Sequence, residues 1–246
     1  MTPTQLMVVV LASAAGATVK SVTGMGYPVI AVPIISLVAG VETAVMIVAI
    51  PNVAANVYMY WETRDASKGT RDLGRMVGFG SVGAVVGTIA LVNLPDRPLL
   101  IMLAITILIF VVQYFRRPDL KLTDEVTKRW AGPVGFVAGC MQGAIGVSGP
   151  VVAAWFHGYR LSARTYIHSV TLVFGITGMI QLVILLAQGA LTRDRAVAMA
   201  VAGVTVAAVL PQGVRLRGHL AGRSFDNLVL GAIILSAVSL LLEALT

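Results

Sequence analysis

The sequence predicts an all-α, polytopic membrane protein made of two inverted repeats. Each repeat is expected to hold a short helix pair around a Gly/Pro break, then three spanning helices. Three observations carry this reading. Of 246 residues, 57% are hydrophobic and 12% charged, with a mean hydropathy of +0.89. A soluble domain carries about 25% charged residues, so this chain lacks the charge to cover a water-facing surface. Several apolar runs approach the roughly 20 residues that cross a hydrocarbon core. The order of runs and breaks then recurs in the second half. A water-soluble enzyme, a disordered chain and a fibre are thereby excluded as the default.

Taken in order, 6–19 is apolar but short, Gly24 to Pro28 breaks it, and 29–40 is short again. The runs 43–61, 76–94 and 99–115 are long enough to span. After a basic loop, 132–145 is short, Gly146 to Pro150 breaks it, and 151–159 is shorter still. The runs 166–188, 196–211 and 228–245 follow as spans. The expected division is 1–117 as an N-terminal membrane repeat, 118–129 as a cytoplasmic linker, and 130–246 as a C-terminal membrane repeat. Residue identities agree: Gly24 and Pro28 return as Gly146 and Pro150, and Thr70-Arg71-Asp72 returns as Thr192-Arg193-Asp194, both at an offset of 122.

The net charge of +7 is spread over short loops rather than gathered in one patch, so membrane orientation explains it and nucleic acid does not. An odd number of crossings per half places fifteen Lys/Arg on one side and Arg97, Arg193 and Arg195 on the other. Four crossings per half would give 11 to 7. The odd count fits the positive-inside rule far better. It puts the basic loops in the cytoplasm and both termini outside, and it makes the halves inverted repeats in the inner (plasma) membrane. The first ten residues lack Lys and Arg, so they read as membrane helix rather than a signal peptide. Tyr58, Tyr60, Trp61, Tyr114 and Trp130 flank the basic loops, where interfacial aromatics belong. Cys140, the one cysteine, reads as a small packing residue.

The breaks carry the functional expectation. Backbone groups exposed in lipid cost several kcal/mol each, so a broken helix must face protein or a polar cavity. Pro28 and Pro150 suit the first turn of a new helix. Gly24, Gly26, Gly146 and Gly149 permit close approach to the backbone. Two new helix N-termini facing one cavity would offer N–H donors to an anion; the alternative is that these glycines only tighten helix packing. Lys20 lies four residues before Gly24, and Gln142 stands in the same place before Gly146. A lysine within an apolar stretch is costly and usually functional, unless it snorkels to the surface. Thr23, Tyr27 and Ser148 add hydroxyls, and Asn52 and Asn56 lie one turn apart on the next span. His157 and His168 read as packing residues. All eleven carboxylates sit in loops or near helix ends, which disfavours a cation site. No metal, cofactor or ATP-binding loop is expected.

These features resemble the TauE/SafE (TSUP) family of sulfite exporters. The resemblance covers the whole chain and rests on the duplicated hydropathy, on Gly24-Met25-Gly26-Tyr27-Pro28 and Gly146-Val147-Ser148-Gly149-Pro150, and on the basic central loop. Arg71-Asp72 and Arg193-Asp194 stand where the family often has an Asp-containing segment opening a helix. The resemblance implies transport of sulfite, an organosulfonate or a related small anion across a bacterial plasma membrane, often outward. With an inside-negative potential, export of an anion gains about 2.3 kcal/mol per charge per 100 mV. The expected partners are that anion and the lipid bilayer; a homo-oligomer is compatible with the sequence. The expected mechanism is alternating access around a site of Lys20, Thr23, Gly24, Gly26, Tyr27, Asn52, Asn56, Gln142, Gly146, Ser148 and Gly149.

Two rivals stand beside it. Gly146-Val147-Ser148-Gly149 also reads as the G-x-S-G nucleophile motif of rhomboid intramembrane proteases, with His157 or His168 as base. The first break has Gly26 where Ser148 stands, so the break recurs without the nucleophile. An anion channel of the same shape is the other.

Overall fold

The computed structural model describes residues 1–116 and 122–216. The expected span 228–245, the basic residues Arg117, Lys121, Arg217 and Arg223, the side chain of Tyr114 and the C-terminus lie outside the described residues. Every element within them is helical: α1 (Pro3–Thr23), α2 (Tyr27–Ala39), α3 (Val41–Thr63), a 3-10 turn (Arg64–Gly69), α4 (Leu73–Asn93), α5 (Asp96–Arg116), α6 (Asp124–Ile145), α7 (Gly149–His157), α8 (Ala163–Ala187) and α9 (Arg193–Arg215).

Six of these helices, α1, α3, α4, α5, α8 and α9, are long and apolar enough to cross a membrane. Their outward residues are apolar as well: Phe79, Val82, Val86 and Ile89 of α4 are 47–57% exposed, as on a surface that meets lipid rather than water. The protein is a multi-pass membrane protein.

The apolar runs understate the first helix of each pair. α1 has 21 residues and α6 has 22, so only α2, with 13, and α7, with nine, are short. The extra turns are polar. Thr2 and Gln5 close a reciprocal capping box at the start of α1, at 3.2 and 2.9 Å. Thr123 caps α6, whose first turn carries Asp124 and Glu125 against the helix dipole.

Hydrogen bonds sort the helix ends onto two faces. At one face, Gln5 donates to the Val38 carbonyl (2.7 Å), and Arg195 donates to Glu42 (2.7 Å) and Thr43 (3.0 Å). The Met1 amine pairs with Asp194 there. At the other face, Arg71 pairs with Asp124, and Arg164 donates to Asp65 (2.7 Å) and the Glu62 carbonyl (2.8 Å). Tyr159 donates there to Asp72 (3.2 Å), and the Leu122 amide donates to the Gly158 carbonyl (3.1 Å). Burial, with Asp72 beside it, pushes the Tyr159 phenol well above its usual value, so it remains a donor. The α1–α2 pair therefore begins and ends at the Met1 face, and the α6–α7 pair at the Arg71 face. Trp61 and Trp130 are exposed at the Arg71 face.

Helix contacts exchange partners between the halves. α1 packs on α9 while α6 packs on α4, α3 meets α9 while α8 meets α4, and α3 meets α8. The α4–α6 contact is the closest. A Cβ on Gly83 would lie 2.1 Å from the Phe136 carbonyl oxygen, and one on Gly139 would lie 2.0 Å from that of Gly80. Small residues let these backbones touch, as membrane helices without a hydrophobic driving force require.

The second anchor pair is used unequally. Thr192 caps α9 and accepts from the Arg195 amide at 3.3 Å, whereas Asp72, at a left-handed φ of 49°, is the N-cap residue of α4. Helix α4 therefore begins two residues later than the offset implies.

Candidate functional site

Each break ends its first helix the same way, although the N-cap of the second helix is left-handed at Gly26 (φ 110°) and not at Ser148 (φ −123°). α1 ends at Gly24 (φ 80°) and α6 at Gly146 (φ 69°), both left-handed, a conformation that glycine enters at little cost. Their amides close the last turns on the carbonyls of Lys20 (2.8 Å) and Gln142 (2.9 Å). The chain then reverses into α2 or α7, with Pro28 or Pro150 in the first turn. Gly26 and Ser148, the N-cap residues, make no side-chain cap bond. The first amides of α2 and α7 have no intrahelical acceptor, as at any helix start.

The two breaks meet. Lys20, Gly26, Gln142, Gly146, Ser148 and Gly149 line one small cavity on its polar side. Pro28, Val29, Val147 and Phe174 complete its apolar side. The cavity holds about 10 Å³, room for about one water molecule. An oxyanion does not fit without movement.

Lys20 is fully buried, which rules out snorkelling and removes it from the charge count of either face. Its ammonium donates to Asn56 Oδ1 at 2.6 Å and to the Gly24 carbonyl at 3.4 Å. Asn56 in turn donates to Asn52 Oδ1 at 3.4 Å. No ion pair to Lys20 is present among the described residues, and no carboxylate lines the cavity. Opposite Lys20, Gln142 accepts from Ser148 Oγ at 3.1 Å.

The remaining expected site residues lie nearby but off the cavity wall. Asn52 and Asn56 act behind Lys20, against the glycine face of α8: a Cβ on Gly178 would be 3.6 Å from Asn52 Nδ2. The Thr23 hydroxyl bonds locally to the carbonyls of Val19 (3.0 Å) and Met25. The Tyr27 hydroxyl turns to Ser13, at 3.4 Å. Gly24 faces Ile167. Two residues went unread in the sequence. Phe174 arrives from α8, and Gln181 donates to the carbonyls of Gln142 (2.7 Å) and Gly143 (3.0 Å), pinning the end of α6. Gln181 is a mid-span amide, and that polarity was its only signal.

Among the described residues, neither candidate histidine lies beside Ser148 as the protease reading requires. Its hydroxyl donates to Gln142, His168 Nδ1 sits 3.3 Å from Thr63 Oγ1 with its ring against Tyr60, and the His157 ring packs against Tyr166.

A multi-pass helical bundle with a buried lysine beside two broken helices has the form of a membrane transporter. The chain belongs to the sulfite exporter TauE/SafE family, whose family model matches residues 8–240, nearly its whole length. Members of that family are membrane transporters and not enzymes. No curated protein and no solved structure matches the chain.

Proposed function

We propose that this protein moves a small sulfur-containing anion, sulfite or an organosulfonate, across the plasma membrane by alternating access. The observation that carries this is the meeting of the two breaks around a cavity whose one ionisable side chain, among the described residues, is the buried Lys20. The anion would sit between the breaks. Amides near Gly26, Tyr27, Ser148 and Gly149 would donate to its oxygens, Lys20 would offset its charge, and Gln142 would add a donor. Asn52 and Asn56 would hold Lys20 in place.

Inverted repeats are the architecture we assign. Hairpins entering from opposite faces, exchanged helix contacts and matching helix boundaries support it. Rocking of one half against the other would open the cavity to each face in turn. The Arg71 face carries Arg64, Lys68, Arg71, Arg75, Lys128, Arg129, Arg160 and Arg164, so we assign it to the cytoplasm and Met1 to the outside. Outward movement would then run with the membrane potential.

The test is counterflow of labelled sulfite or isethionate in proteoliposomes, with protein-free vesicles as control. Saturable counterflow is expected, and Lys20→Ala should weaken it. Flux without saturation or exchange would favour the channel reading, and no flux for either anion would end the proposal.

A further inference from the structure

The geometry points to a charge rule: the site accepts monoanions, taking sulfite in its hydrogensulfite form, and rejects dianions, and Lys20 sets the limit. This rests on the anion-transport reading above and specifies its substrate class.

The cavity wall carries one ionisable side chain among the described residues, and the charge it bears when protonated is the only formal charge they bring. Lys20 supplies it, and every other lining side chain among the described residues is neutral. The helix ends add little net charge. A helix N-terminus is worth about half a positive charge and a C-terminus about half a negative one. Each break holds one of each: α1 ends where α2 begins, and α6 ends where α7 begins. The half-charges offset, leaving directional N–H donors and a single ammonium.

That ammonium is poised for one ligand. It has three N–H donors, and the structure gives it two acceptors, Asn56 Oδ1 and the Gly24 carbonyl, both uncharged. The third donor is left for the cavity that Lys20 lines. A fully buried cation with only neutral partners is costly, and an ion of charge −1 balances its charge. An ion of charge −2 leaves one negative charge uncompensated in the middle of the protein.

The repeat supplies the control. Gln142 holds the position of Lys20 in the second break, at the offset of 122, and faces the same cavity. The site is thus an asymmetric version of one that could have carried two cations. Gln142→Lys would supply the second.

The experiment measures binding by calorimetry on the purified full chain at fixed ionic strength and at a pH below the second dissociation of sulfurous acid, where sulfite is hydrogensulfite. The probes are the monoanions isethionate and hydrogensulfite and the dianions thiosulfate and sulfate. The tighter monoanion should bind at least about tenfold better than the tighter dianion. Q142K should shrink that ratio by at least about tenfold, chiefly by tightening the dianions. Dianion binding equal to or tighter than monoanion binding in the unaltered protein overturns the charge rule and leaves the anion reading standing. Binding of none of the four overturns both. A folded Q142K with an unchanged ratio also overturns the rule. If Q142K does not fold, K20Q decides: preference for monoanions should fall to within about threefold, and a retained preference overturns the proposal.

Discussion

Arg195 Nη1 lies 2.7 Å from Glu42 Oε1 and ties the first turn of α9 to the first turn of α3. The same guanidinium donates to the Ala190 carbonyl (2.9 Å) and to Thr43 (3.0 Å), and its side chain is only 19% exposed. The contact joins the second half of the chain to the first. So do Met1 with Asp194 at the same face, and Arg71 with Asp124 and Arg164 with Asp65 at the other. The cavity between them has no room for an oxyanion. Ion pairs at both faces therefore oppose the separation that alternating access requires.

Arg195→Ala should bias the protein open at the Met1 face. With Cys140 replaced by Ala and Ser148 by Cys, a membrane-impermeant maleimide reports access to the cavity from one side. Loss of a part-buried charged hydrogen bond is worth about 1.5–3 kcal/mol, so labelling from the Met1 side should rise roughly tenfold or more. Arg164→Ala should leave labelling from that side unchanged. Equal rates in all three proteins would remove these pairs from the gating account.

A second outcome concerns the α4–α6 contact. A Cβ on Gly139 would lie 2.0 Å from the Gly80 carbonyl oxygen, and one on Gly87 would lie 2.1 Å from that of Cys140. Either alanine must push two backbones apart, and overpacking of this kind costs about 1–3 kcal/mol or more. Gly139→Ala should lower the Tm of the purified protein by several degrees. Gly203→Ala, where nothing lies within 4 Å, should leave it unchanged or raise it slightly. Equal Tm values for the two variants would contradict the packing described.

The breaks were legible because their chemistry is local. A left-handed residue ending a helix favours glycine, and a first-turn proline starts the next, so Gly24 to Pro28 and Gly146 to Pro150 announce themselves. The helix lengths were less legible, since caps such as Thr2 and Thr123 extend α1 and α6 beyond their apolar cores. The glycine seam was not read at all. Gly135, Gly139 and Gly143 recur every four residues, but spacing on one helix does not name its partner, and α4 is paired through tertiary contact alone. Phe174 and Gln181 escaped for the same reason. The sequence places Asn56 in the expected anion site, while the structure turns its carbonyl oxygen toward Lys20.

The two left-handed glycines separate strain from space. A Cβ on Gly24 would come 2.8 Å from Ile167 Cγ1, whereas one on Gly146 would meet Val32 and Val45 at 3.5 Å, an ordinary contact. Both alanines pay the left-handed penalty of roughly 1–2 kcal/mol. Only Gly24→Ala adds a clash. Its Tm should fall further than that of Gly146→Ala, and pairing it with Ile167→Val should not recover the whole difference, because the strain remains. A larger loss at Gly146 would show that the second break is the tighter one.

Asn56 offers the sharpest test of what Lys20 is for. Its Oδ1 accepts from the ammonium at 2.6 Å, and aspartate is nearly the same shape. Asn56→Asp would supply an internal counter-charge where the unaltered site has only neutral partners. If the ammonium serves a passing anion, filling it from within should cost affinity. A charged hydrogen bond of about 1.5–3 kcal/mol corresponds to a ten- to hundredfold weaker Kd for isethionate or hydrogensulfite. The ligand-free protein should at the same time gain Tm, since a buried cation has acquired a partner. Asn56→Ala separates this from mere loss of a support: it should lower Tm while weakening the anion less. An Asn56→Asp protein that binds as tightly as the original would mean that the anion does not meet Lys20.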